Sequence, residues 1–147
     1  MGDIAGLRAT VEMFCRFIEG SRIATVAEQA WGPKEVLAHL VFHHESYIDQ
    51  VKALRNGELF EPPRGRFSDL NAQAVVDSRG VSVQELIRRF LEANETLCNL
   101  YKSVDPHAIV LEIKLGAKLR TFAELIPEVE AHIRNHQRIL MRELRCK

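Results

Sequence analysis

The sequence predicts an all-α bundle of four substantial amphipathic helices, joined by long connections and carrying a short extra helix. Three observations carry that expectation. Apolar residues recur at three- and four-residue spacing through four long stretches of the 147-residue chain. Helix caps, glycines and prolines fall at the ends of those stretches. Only one run, with Leu111, Ile113 and Leu115 alternating with Glu112 and Lys114, has the two-residue period of a strand.

The first helix is expected from about Asp3 to Gly20, on the spacing of Ile4, Leu7, Val11, Phe14 and Ile18. Ala24, Val26 and Ala27 follow, then Trp31-Gly32-Pro33. Proline suits the first helical position, where its missing N–H costs no hydrogen bond. A second helix is therefore expected from Pro33 to Arg55, stopping at Asn56-Gly57, with Val36, Leu37, Leu40, His44, Tyr47, Ile48, Val51 and Leu54 as its apolar stripe. Residues 57–66, with two glycines and two prolines, predict a loop.

A shorter helix is expected from about Ser68 to Arg79, carrying Leu70, Ala74 and Val75 and stopping at Gly80. Ser82 and Glu85 have the spacing of a capping box ahead of Leu86, Ile87, Phe90, Leu91, Leu97, Leu100 and Tyr101. That helix ends before Asp105-Pro106. Residues 107–120 predict an extended connection or small excursion, because a lone strand has nothing to pair with. Thr121 and Glu124 form a second capping box for the last helix, whose stripe is Val129, Ile133, Leu140 and Leu144. Pro127 predicts a kink or restart near its beginning. Two long connections favour a bundle with crossovers over a simple up-down series.

The length suits one domain, residues 1–147, able to bury roughly 68–70% of its unfolded surface without staples. Twenty Lys and Arg balance twenty Asp and Glu, a formal net charge of zero. That composition lacks the electrostatic footprint of a nucleic-acid or anionic-membrane binder. No apolar run approaches the roughly 20 residues of a spanning helix, and no secretory signal is visible. Cys15, Cys98 and Cys146 are odd in number and far apart, which predicts reduced thiols in a cytoplasmic protein. Cys15 and Cys98 sit among apolar neighbours and are expected to act as small core residues.

Four of the six histidines form two His-x-x-x-His pairs, His39 with His43 and His132 with His136. Residues four apart on a helix lie one turn above each other and can share a divalent ion. At about 100° per residue, both pairs fall on a flank of their helix's apolar stripe. If the helices pack side by side, the flanks face each other across a cleft. Half-buried, hydrogen-bonded histidines at a bundle edge are the plainer alternative. His44 occupies the apolar centre and is expected in the core; His107 follows Asp105-Pro106 in a turn. Three imidazoles with an open position suit zinc best, although nickel, copper, iron and manganese also accept imidazole. Glu35, Glu45 and Glu128 lie near the pairs in sequence, where a carboxylate can orient a histidine or accept a proton; the favoured expectation is ordinary exposed helix carboxylates.

Residues 31–40, Trp-Gly-Pro-Lys-Glu-Val-Leu-Ala-His-Leu, resemble the second-helix opening of the DinB-like superfamily. The segment is most similar to the ClbS/DfsB-type branch, which is related to mycothiol-dependent maleylpyruvate isomerase. Gly65-Arg66-Phe67 with Leu70-Asn71 resembles that branch's loop, and Leu125-Ile126-Pro127-Glu128-Val129-Glu130-Ala131-His132 with His136 resembles its closing helix. The resemblance spans nearly the whole chain in order. It implies a DinB-type four-helix bundle, often a homodimer, that holds a divalent metal on His39, His132 and His136. His43 stands where relatives often have an aromatic residue, an optional fourth ligand or a neighbour of the ligands. Gln137-Arg138-Ile139 departs from the Arg-Gly-Gln of many members, and members of the nearest branch do not all hold a metal.

Three functions are compatible with these features. The first is a metal-dependent hydrolase or low-molecular-weight-thiol-dependent transferase acting on a small molecule, with zinc or nickel as the ion. The second is a metal-independent binding or protective protein, in which Trp31, Phe42, Tyr47 and Phe67 matter more than the histidines. The third is a structural dimer without catalysis.

Overall fold

Local punctuation sets the helix ends. A computed structural model describes residues 4–20 and 32–145. Within them lie α1 (Ile4–Gly20), α2 (Pro33–Arg55), α3 (Phe67–Asp77), α4 (Val83–Ser103) and α5 (Phe122–Arg145), plus a hairpin of β1 (Val110–Leu111) and β2 (Arg120–Thr121). Asp3, Ala24, Val26, Ala27, Trp31, Cys146 and the side chain of Leu144 lie outside the described residues.

Helix α2 opens at Pro33, where the Gly32 N–H donates to Glu35 Oε1 at 2.9 Å, and closes at Asn56. At the start of α4, Ser82 Oγ accepts from the Glu85 N–H at 3.1 Å, while the Glu85 carboxylate engages Arg88. Helix α5 has the reciprocal cap: Glu124 N–H donates to Thr121 Oγ1 at 3.1 Å and Thr121 N–H to Glu124 Oε1 at 2.9 Å. Two more first-turn donors are taken by the preceding turn, Phe122 N–H by Ile109 O and Ala123 N–H by Pro106 O. With its orphan donors met, the helix can begin directly from a strand.

The long helices pack around one apolar core in which Leu7, Phe14, Leu37, Phe90, Phe122 and Ile133 are fully buried. Helix α1 packs against α4 and α5, and α2 packs mainly against α4. Of the consecutive long helices only α2 and α4 are principal neighbours; α1 packs on α4 and α5 instead of α2, in keeping with the long connections. Arg134 Nε donates to buried Thr10 Oγ1 at 3.3 Å, which ties α5 to α1. By contrast α2 and α5 touch only lightly, and α3 packs on α2. That loose junction is where the site sits. No helix among the described residues is long and apolar enough to cross a membrane.

The structure corrects several expectations. The stretch 107–120 is not unpaired: Val110 faces Thr121 and Leu111 faces Arg120 in an antiparallel hairpin. Helix α5 runs through Pro127 without restarting. Buried Leu125, Ile126 and Val129 anchor that turn on both sides of the proline. Leu54 and Leu91 are exposed, because the apolar stripes are wider than the faces the neighbours cover. In α3, Ala74 is buried while Leu70 and Val75 are half-covered.

Candidate metal centre

Helix periodicity brings His132 and His136 onto one face of α5, with ring centroids 4.5 Å apart. Across the junction α2 contributes His39, whose ring lies 5.7 Å from that of His132 and 4.7 Å from that of His136. The Nε2 atoms converge: His136 to His132 is 3.1 Å and His39 to His132 is 3.5 Å. Ligand nitrogens from all three lie within 4.8 Å of one another, close enough to hold a metal ion. Two nitrogens bound at 2.0–2.1 Å to one tetrahedral ion stand about 3.3 Å apart. The two His132 separations bracket that value, and the whole set, within 4.8 Å, is close enough to hold a divalent ion.

His39 is buried, His136 half-buried and His132 exposed, which gives the cluster an inner wall and an open side. Burial holds the His39 imidazolium far down, to about 3, with His136, His43 and His132 nearby adding to the depression and a Val36 backbone hydrogen bond opposing it. His136 is lowered to about 4 by burial and by His132, and His132 is lowered by burial. All three rings are therefore neutral near pH 7, the form that ligates a metal without first losing a proton.

His43 is placed differently. Its Nε2 lies 2.6 Å from Asn71 Oδ1 on α3, and its ring stands 5.9 Å from that of His39. Because Oδ1 can only accept, His43 Nε2 carries the proton. His44 is a core histidine, as its position predicts: fully buried, with Nε2 donating to Asn94 Oδ1 at 3.2 Å. His107 lies in an exposed turn.

A cavity of about 380 Å³ opens beside the cluster, with His132 in its wall. Helix α2 supplies Leu40, His43, His44 and Tyr47; α3 supplies Phe67 and Asn71; α5 supplies Leu125, Glu128 and Val129; the hairpin region supplies Ile113. Of the aromatics singled out by sequence, Tyr47 and Phe67 line this cavity, Phe42 packs on His43 with centroids 5.1 Å apart, and Trp31 lies outside the described residues. The three carboxylates are engaged elsewhere: Glu35 at its helix cap, Glu45 with Arg89 at 2.7 Å, and Glu128 with Arg120. Only Glu128 reaches the cavity wall.

Sequence reasoning missed the His43–Asn71 contact. The available signal was the four-residue step from Phe67 to Asn71, which puts both on one face of α3. It also missed Gln50, a buried polar residue whose side chain bonds both the N–H and the C=O of Glu112. That clamp holds the segment bearing Ile113 at the cavity. No family model, curated protein or solved structure matches this chain.

Proposed function

We propose that this protein is a metal-dependent enzyme of the DinB-like kind, a hydrolase or a low-molecular-weight-thiol-dependent transferase acting on a small molecule. The observation that carries the reading is the convergence of His39, His132 and His136 Nε2 atoms beside an apolar cavity. Zinc fits a three-imidazole set best and nickel next, since both accept neutral imidazole. When bound, such an ion acts as a Lewis acid that makes a water or thiol in its open position nucleophilic near neutral pH. The chain's own residues do the rest. His39 fixes the centre from the buried side, His132 presents it to the cavity, and Tyr47, Phe67 and Val129 exclude water around a bound molecule. The DinB-type resemblance of residues 31–40, 65–71 and 125–136 supports the same ligand set and extends the reading to a cytoplasmic homodimer.

Elemental analysis of protein purified without a polyhistidine tag tests this, alongside a His132→Ala/His136→Ala double variant. Near-stoichiometric zinc or nickel that vanishes in the variant is the expected result. Absence of metal even after incubation with divalent ions would sink the metalloenzyme reading. The largely apolar cavity wall then favours a metal-independent binding or protective role for the same pocket.

A further inference from the structure

We propose that the cavity takes an uncharged, largely apolar small molecule bearing a carbonyl or equivalent acceptor, received by the Asn71 Nδ2–H2 donors. His43 acts as the positioning residue that holds the Asn71 amide. The inference rests on the reading of the cavity beside the histidine cluster as the substrate pocket.

Three observations support it. First, Asn71 Oδ1 is committed to His43 Nε2–H at 2.6 Å, which holds the amide by its oxygen. Among the described residues no group takes the Asn71 Nδ2–H2, and Asn71 lines the cavity. An amide so held, with free donors in an apolar wall, is the kind of sparse polar group that orients a ligand. Second, the described lining residues offer an ionic ligand no spare counter-charge of their own. Glu128 is paired with Arg120, no lysine or arginine is among the described residues that line the cavity, and the Lys114 ammonium is engaged with the Phe67 ring. A charged ligand would give up its water for Leu40, Phe67, Leu125 and Val129 without compensation. Third, about 380 Å³ lies near the small end of ligand pockets, a size suited to a single ring or a short chain.

Acetophenone, ethylbenzene and benzoate form a matched set of probes: a neutral carbonyl, its hydrocarbon counterpart and an anion. Benzoate is the informative counter-probe because the Lys114 ammonium stands over the Phe67 ring, 5.2 Å from its centroid. Affinities are measured by calorimetry on the protein as purified and again after chelator treatment. Acetophenone is expected to bind about tenfold more tightly than ethylbenzene, the worth of one good hydrogen bond, with benzoate weakest. Asn71→Leu should abolish the carbonyl preference while leaving ethylbenzene within about twofold. Asn71→Asp keeps an acceptor for His43 but removes the donor, and should lose the preference too. Benzoate binding as tightly as acetophenone, no binding of any probe, or a preference that survives both substitutions would overturn the proposal. Because selectivity is also read on chelator-treated protein, it is independent of the metal; protein that takes up no metal even when incubated with divalent ions, yet keeps the preference, would sink the metalloenzyme reading alone.

Discussion

His39 Nε2 and His132 Nε2 meet at 3.5 Å although 93 residues separate them in the chain. Only the junction of α2 with α5 produces that contact, and the neighbouring His43 is tied to Asn71 instead. The two α2 histidines should therefore separate cleanly in a metal titration. His39→Ala is expected to weaken zinc affinity by more than about 100-fold, beyond the 10–100-fold usual for losing an outer partner of a ligand. His43→Ala should hold zinc within about tenfold of the parent. A competition titration against a chromophoric chelator reads both. Equal losses in the two variants would put His43 in the ligand set.

Metal should also stabilise the fold, since the cluster bridges two helices that otherwise touch lightly. A ligand at 100 times its Kd adds about 2.7 kcal/mol if it binds only the folded state. Zinc added at that excess should raise the urea midpoint of the parent protein and leave the His132→Ala/His136→Ala variant unmoved. A shift of the same size in both would mean that zinc acts elsewhere.

The helices were legible in the sequence because their signals are local. Pro33 and Asn56-Gly57 bound α2, and Thr121 with Glu124 bounds the start of α5. That each histidine pair shares one flank of its helix was legible too, as a consequence of helical periodicity; that the flanks meet depends on how the helices pack. The hairpin was not, because Arg120-Thr121 has no alternation to mark it as a partner for Val110-Leu111. The alternative of a restart at Pro127 does not occur for a related reason: propensity is local, whereas burial of Leu125, Ile126 and Val129 is tertiary. His43 with Asn71 and Gln50 with Glu112 escaped notice because polar residues carry no periodic signal, and only the fold reveals which become buried.

His44 makes stability depend on pH in a definite direction. Burial lowers its folded-state value from 6.5 to about 4 against the opposing Asn94 hydrogen bond. Between those values the unfolded chain binds the extra proton, so stability rises with pH there and is fully present above about pH 6.5. Acidification from pH 6.5 to 4 should cost on the order of 3 kcal/mol from this residue. His44→Gln keeps a donor for Asn94 without a titrating ring. Urea midpoints across this range should fall less steeply in that variant than in the parent. Parallel profiles would show that His44 does not contribute the dependence.

Cys15 and Cys98 are buried, and burial raises both thiols, that of Cys15 to about 12. Thiolate is the reactive form, so neither should react with a disulfide reagent at pH 8 while the chain is folded. With Cys146→Ser as background, colour should develop only as denaturant unfolds the protein. Rapid labelling under native conditions would contradict the burial of both.

Gln50 is the sharpest test of how the cavity wall is held. Its Nε2 donates to Glu112 O at 2.9 Å and its Oε1 accepts from Glu112 N–H at 2.6 Å, so one buried amide satisfies both main-chain polar groups of Glu112. A second bond, Leu115 N–H to Pro63 O at 2.8 Å, pins the far end of the same segment to the 57–66 loop. Gln50→Leu preserves bulk but leaves two main-chain groups without partners, which should destabilise the fold by about 1–3 kcal/mol. The damage should be local first. Hydrogen exchange at the Glu112 amide is expected to quicken well before that at Val51, which is packed in the α2 core. Ile113 follows Glu112 into the cavity wall, so binding of cavity probes should weaken together with that protection. If Glu112 exchange and the urea midpoint were both unchanged, the segment would be held by the hairpin and the Leu115–Pro63 bond instead.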